Sequence, residues 1–222
     1  MYQVRCDDKI IYDLRDENLK IISPKLTTEI NKTGTFDFTM PPQNPCYDII
    51  KKLKSIITIY QDEEEIWRGR VLNDKLDFYN RKQVECEGEL SFLLDSIQRP
   101  YTFQGSPNNL FKQFIKTHNN QVEESKQFVI RNVNVSDGNG YINREDSNYS
   151  YTWDAINDKL IDTNGGNLET GLLENGKRYI DYISEYTHIN SQIIQFGENL
   201  LDITKYAKGE NIKTAIIPLR KR

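Results

Sequence analysis

Apolar and polar residues alternate with period two along the N-terminal half of the chain, and this alternation predicts strands. Residues 2–4 and 9–12 make a first hairpin, turned at Asp7-Asp8. Residues 19–22 make another strand, stopped by Ser23-Pro24. Across 26–40, Thr and Phe alternate with polar residues, so that Phe36 and Phe38 share one face and Asp37 and Thr39 the other. Gly34, free to take positive φ, supplies the turn within that stretch. Pro41-Pro42 ends the strand because proline cannot donate to a ladder. Asn44 and Pro45 have the form of a helix start and predict a short helix over 46–53, with Ile49, Ile50 and Leu53 as its apolar stripe. Residues 55–60 and 66–72 predict a strong hairpin with a charged tip at 62–65. Residues 75–79 and 82–89 predict a second, turned at Asn80-Arg81. In its last strand Val84, Cys86 and Gly88 share one face, which leaves Glu85, Glu87 and Glu89 on the other, facing water. So many short strands with tight turns predict a small barrel or sandwich.

The pattern changes after Leu94, and 99–105 is a predicted boundary or crossover. Ser106-Pro107 opens a helix whose stripe is Leu110, Phe111, Phe114, Ile115 and His118. A strand over 128–135 follows, then a polar loop over 136–150 that carries a short strand near Tyr141-Ile142. Ser150 or Thr152 caps a second helix, with Trp153, Ile156, Leu160 and Ile161 at helical spacing and Asn164-Gly165-Gly166 as its stop. Residues 166–173 and 177–183 form a hairpin on Glu174-Asn175-Gly176, where Asn-Gly predicts a type I′ turn. Strands over 193–196, 200–203 and 214–218 complete a second strand-rich region. The chain is therefore α+β and mainly β, divided into 1–97, 98–189 and 190–222.

Composition narrows the function. Thirteen Tyr and nine Phe against two Met favour strands. The net charge of −4 is spread along the chain without a basic half, so the electrostatic footprint of a nucleic-acid binder is missing. Cys6, Cys46 and Cys86 are odd in number and lack metal-ligand spacing, which predicts free thiols and synthesis in a reducing cytoplasm. No apolar run is long enough to span a bilayer, and no signal-peptide pattern precedes residue 30.

Candidate chemistry is sparse. His118 ends an apolar stripe, where a hydrogen-bonded, partly buried role is the ordinary expectation, and His188 has no Cys, Asp or Glu at ligand spacing. The acidic run 62–65 predicts a solvated turn, since adjacent carboxylates point apart. Asp137-Gly138-Asn139-Gly140 lacks the ligand spacing and terminal Glu of a calcium loop. Gly165-Gly166 lacks the Lys-Ser/Thr of a phosphate loop, and no GxSxG turn or HExxH helix occurs. Many Asp and Glu are available for acid–base work, but sequence cannot pair them. The expectation is no catalytic residue, no cofactor and no metal.

Three stretches carry a resemblance. They are 29–42, containing Gly34, Phe36 and Pro41; 64–72, containing Trp67, Gly69 and Arg70; and 86–95, containing Gly88. With Trp153, Gly165, Gly166, Asn199 and Leu200 further on, their order resembles the N-terminal region of siphophage tail-tip proteins, the prophage endopeptidase tail or tail-associated lysin family. The resemblance implies two β-barrel-like domains with smaller α/β parts, the first over 1–97 and the second completed by 190–222, as in the baseplate hub of contractile phages. It implies a virion structural protein at the tail tip: a homotrimeric ring that extends the tail tube, meets the distal tail protein ring and the tape-measure protein, and lets DNA pass without specific binding. Relatives continue beyond the segment matched by 216–219, whereas Arg220-Lys221-Arg222 follow here. The lytic C-terminal part of the family is thus expected to be absent. A peptidoglycan hydrolase and a host carbohydrate-binding module are the competing expectations.

Overall fold

The alternating N-terminal residues build one antiparallel sheet in a computed structural model that describes residues 1–186 together with Ile193, Gln195 and Phe196. Its strands are β1 (Tyr2–Cys6), β2 (Lys9–Asp13), β3 (Ile22–Thr27), β4 (Thr35–Met40), β5 (Ile56–Gln61), β6 (Glu64–Leu76) and β7 (Lys82–Gly88), in the order β2-β1-β5-β6-β7-β4-β3. The sheet curls into a half-barrel, and among the described residues its edges, β2 and β3, are open. Its inward positions, among them Val4, Ile11, Phe36, Phe38, Ile57, Trp67 and Val84, close one hydrophobic core, as period two requires.

Four local expectations fail in this part, each for a physical reason. β3 starts only at Ile22 and runs through Ser23-Pro24; an edge strand tolerates Pro24 where the register shifts between Ile22 and Lys25. The helix expected over 46–53 is a series of turns. Asn44 Oδ1 does accept the Cys46 N–H, at 2.9 Å, but Nδ2 donates to the Ile11 and Lys20 carbonyls. Leu53, at φ +59°, turns its N–H to the Val71 carbonyl. The backbone is thus committed to neighbouring segments rather than to a helical ladder. The separate strands expected over 66–72 and 75–79 are one strand, β6, which bends at a register shift between Val71 and Asn73 and so serves both hairpins. Glu87 and Glu89 are not in water; only Glu85 stays well exposed.

Beyond β7 a turn of 3₁₀ helix, Glu89–Asp95, feeds a second core. β8 (Ile97–Gln98) and β9 (Tyr101–Gly105) lie where a boundary was expected, and lead to α1 (Pro107–Asn119). The Ser106 hydroxyl accepts the Asn109 N–H, and Leu110, Phe111, Phe114, Ile115 and His118 are buried as their spacing predicts. β10 (Val129–Val133), β11 (Ile142–Asp146) and β12 (Ser150–Tyr151) follow. The next helix begins as α2 (Thr152–Ile156), widens through a π turn at Asn157–Ile161 and ends as α3 (Asp162–Asn164).

β13 (Asn167–Leu172) and β14 (Arg178–Ile183) make the expected hairpin, but not its expected turn. Gly176 has φ +79° and Asn175 is not in the left-handed region, while the Gly176 N–H donates to the Leu173 carbonyl. This is a type I turn closed by a glycine bulge, the form a three-residue loop prefers. β10 joins β14 in parallel, a pairing no local pattern announces. Residues 1–186 belong to one unit with two cores, the change falling between Cys86 and Leu90. The strands expected over 193–196, 200–203 and 214–218, and with them the second barrel, lie largely or wholly outside the described residues.

Candidate functional site

Four of the residues that carry the resemblance surround the indole of a fifth, Trp67. Trp67 points into the first core with its ring 5.8 Å from that of Phe36. A methyl group on Gly69 would strike the Trp67 ring and the Glu87 carbonyl. On Gly88 it would strike the Thr33 carbonyl and lie 3.3 Å from Trp67 Nε1; on Gly34, at φ +69°, it would sit 3.4 Å from the same atom. Glycine is therefore required at 69 by the Trp67 ring and the Glu87 carbonyl, at 88 by the Thr33 carbonyl, and at 34 by its positive φ and the nearby Thr27 carbonyl. The ladder shifts near β6 occur at neighbouring positions, so Gly69 serves close approach and not a bulge.

The opposite face of β6 carries charge. Arg70, buried, binds Glu87 through Nε at 2.7 Å and Asp95 through Nη1 at 2.6 Å, and Lys126 also reaches Asp95. Arg68 reaches Glu89 at 3.2 Å and donates to the Ser125 carbonyl at 3.0 Å. Both guanidinium groups lie within 6 Å of the Phe92 ring centre, at 5.6 and 5.7 Å. Arg178 of β14 closes the cluster: it lies between Glu89 and Glu65, 2.6 Å from each. Glu65, Glu87, Glu89 and Asp95 thus face Arg68, Arg70, Lys126 and Arg178, one charge for one. Burial pushes the Glu65 carboxyl above the usual carboxylate range, against the pull of Arg178.

This arrangement joins elements of the fold. Glu65 and Glu89 are close partners of the same guanidinium. What the cluster fixes is placement. It ties β6 and β7 to Glu89–Asp95, to the loop at 125–126 and to β14. A buried ion group of this kind contributes little net stability relative to apolar packing, but losing one member is costly.

His118 is fully buried, with Nδ1 2.8 Å from Ser96 Oγ and Nε2 3.0 Å from the Lys126 carbonyl. A carbonyl only accepts, so Nε2 carries the proton and neutral Nδ1 accepts from Ser96. Ser96 in turn accepts from Thr152 Oγ1 at 2.6 Å, and Gln98 Nε2 donates to Thr152 at 2.7 Å. Every proton in this chain is used, inside the second core, so the Ser96–His118 pair is structural. Burial holds the His118 pKa below its ordinary value. Burial also pushes the Cys6 thiol up to about 11 and the Cys86 thiol further, so both are poor nucleophiles. Among the described residues no three His, Cys, Asp or Glu side chains are grouped to hold a metal ion. No described helix is long and apolar enough to cross a membrane.

The other marked residues lie apart. Pro41 follows β4. Trp153 packs on the second core, and Gly165 ends the helix at φ +70°. Gly166 lies where a methyl would strike Val135 and Tyr182. Asn199 and Leu200 lie outside the described residues. Sequence reasoning missed two joints. Asn31, at φ +53°, donates to the Gly166 carbonyl and accepts the Leu168 N–H, linking the β3–β4 loop to β13. Arg178 gave only the signal of a lone charge at a strand start.

No family model matches the sequence, and no curated protein matches it. Solved structures do. The 43 kDa tail protein of prophage MuSo2 from Shewanella oneidensis matches with a TM-score of 0.52 at 15% identity, over 81% of this chain and 53% of that one. The prophage tail protein gp18 from Listeria monocytogenes EGD-e matches with 0.47 at 15%, over 90% and 56%. The E. coli c3393 protein, a type VI secretion component described as structurally similar to T4 tail proteins gp27 and gp5, matches with 0.45 at 10%, over 73% and 48%. The chain spans about half the length of these proteins. Its fold is similar to that of the MuSo2 tail protein: mainly β, with a curled half-barrel sheet.

Proposed function

We propose that this chain is a structural component of a phage or prophage tail, acting at the tail tip as the hub. In this reading three copies form a ring that continues the tail tube, contacts the distal tail protein ring and the tape-measure protein, and surrounds passing DNA without sequence-specific binding. The observation that carries it is the fold likeness to the MuSo2 tail protein over 81% of the chain. The open edges of the sheet, β2 and β3, support it physically, since unpaired strand edges are surfaces that an assembly can cover. The net charge of −4 suits a channel through which DNA must slide, because a basic lining would hold phosphates. The hydrolase reading draws no support from Glu65 and Glu89, which are both held by Arg178, with Arg68 also on Glu89.

The test is light scattering and negative-stain imaging of the purified chain, alone and with the distal tail protein of the same phage. A three-fold ring is the expected result. Monomer under both conditions overturns the hub. Release of muropeptides from peptidoglycan, lost on substitution of Glu65 or Glu89 in a folded variant, would establish the hydrolase instead.

A further inference from the structure

The β6–β7 hairpin ends in an apolar tip that nothing in the described unit covers. Phe78 is 92% exposed and Tyr79 69%, with Leu76 beside them. The tip is nonetheless held in shape. The Asp77 carboxylate accepts the Tyr79 and Arg81 N–H groups, each at 2.9 Å, and binds Arg81 Nε at 2.6 Å. The Asp77 N–H donates to the Arg81 carbonyl, and Tyr47 Oη donates to the Asn80 carbonyl at 2.6 Å. The two rings meet edge to face at 5.4 Å, and the Arg81 guanidinium lies 5.2 Å from the Tyr79 ring centre. An ordered loop that presents two aromatic rings and an arginine has the composition of an interface anchor. Two such rings bury roughly 150–250 Å² each, well short of the ~800 Å² per partner of a stable interface, so the tip is one point of a larger contact.

The same unit carries a cleft of about 700 Å³ beside the other end of β6, bordered by Glu65 and Arg68. Ile56, Val129 and Leu172 give it apolar wall, and the carboxylates of Asp8 and Glu124 line it too. At ~3.3 Å per residue the tip lies roughly 25–35 Å along β6 from this cleft, so it cannot reach the cleft of its own chain. We propose that Phe78, Tyr79 and Arg81 of one copy seat in the cleft of the next, the rings against Val129 and Leu172 and Arg81 toward Asp8 and Glu124. The contact is head-to-tail, and rotation by a fixed angle closes such a contact into a ring. It rests on the hub reading and adds to it the surfaces that meet. Asp74, Asp77 and Glu85 balance Lys75, Arg81 and Lys82 around the tip, so no net positive charge draws it to an anionic lipid surface.

The experiment uses the full chain. Sedimentation of the wild type and of Phe78→Asp/Tyr79→Asp is compared, with thermal melting as the folding control. In a Cys46→Ser background, Phe78→Cys/Leu172→Cys is oxidised and run on a denaturing gel. The expected results are an unchanged melting temperature, self-association at least about thirtyfold weaker in the aspartate variant, and a disulfide that joins copies. An aspartate variant that assembles like the wild type overturns the finger contact and leaves the hub standing. A variant that assembles but loses binding to vesicles containing anionic lipid makes the tip a membrane contact and also overturns it. A wild type that stays monomeric, even with its distal tail protein, overturns both.

Discussion

Arg178 and Glu89 are separated by 89 residues and meet as a two-pronged ion pair, Nε to Oε2 at 2.9 Å and Nη2 to Oε1 at 2.6 Å, with both side chains less than a tenth exposed. The pair closes β14 onto the end of β7. Replacing Arg178 with Leu leaves Glu65 and Glu89 buried without their shared cation. The expected loss is about 3–5 kcal/mol, read as a lower urea midpoint. A loss below about 1 kcal/mol would mean that water already neutralises the carboxylates. Arg178→Leu combined with Glu65→Gln and Glu89→Gln should recover only part of the stability, since no buried carboxylate is then stranded but Arg68 loses its ion pair with Glu89.

Trp67 packs against Gly69, with Gly34 and Gly88 bordering its indole nitrogen. Trp67→Ala should cost about 3–5 kcal/mol, the range for large aromatic truncations in a core. Gly88→Ala adds a methyl against the Thr33 carbonyl and should also destabilise, by about 1–3 kcal/mol. Gly138→Ala, where the added methyl meets open space, is the control and should change little. Equal midpoints for Gly88→Ala and Gly138→Ala would refute the cradle.

His118 is neutral in the fold because burial lowers its pKa. The unfolded chain protonates near the ordinary value of about 6.5, the folded chain only at lower pH. Above that value His118 adds no pH dependence. As pH falls below it, the unfolded state gains protons first, and stability declines by up to about 1.4 kcal/mol per pH unit until the folded pKa is reached. Urea midpoints between pH 7.5 and 5.5 should therefore fall more steeply for the wild type than for His118→Gln. Parallel curves would place the acid sensitivity in other groups.

Asn44 holds a turn segment to the first hairpin through the Ile11 and Lys20 carbonyls, and its side chain is buried. Asn44→Ala strands those acceptors and should cost about 1–3 kcal/mol. Asn44→Asp keeps the bond from the Cys46 N–H but sets a carboxylate against two carbonyls. It should be at least as damaging, and a neutral outcome in chemical denaturation would show that the loop does not need the joint.

Local chemistry by itself determined much of this protein. Alternation placed Phe36, Phe38, Val84 and Cys86 on one buried face, because side chains in a strand alternate by geometry alone. The stripe from Leu110 to His118 gave α1, because helical spacing gathers its residues on one side. The resemblance singled out Gly34, Trp67, Gly69 and Gly88 without showing that they touch. Tertiary structure decided the rest. Asn44 looks like a helix cap and is instead a tie between segments, since the carbonyls it binds come from distant chain. Glu87 and Glu89 alternate outward from one core and would be wet on an isolated sheet. A second core arrives over them, with Arg178 in place to meet Glu89, while Arg70, beside the Phe92 ring, meets Glu87. Parallel pairing of β10 with β14 and the seat of Arg178 depend on which surfaces meet across long stretches of chain, and no local period encodes that meeting.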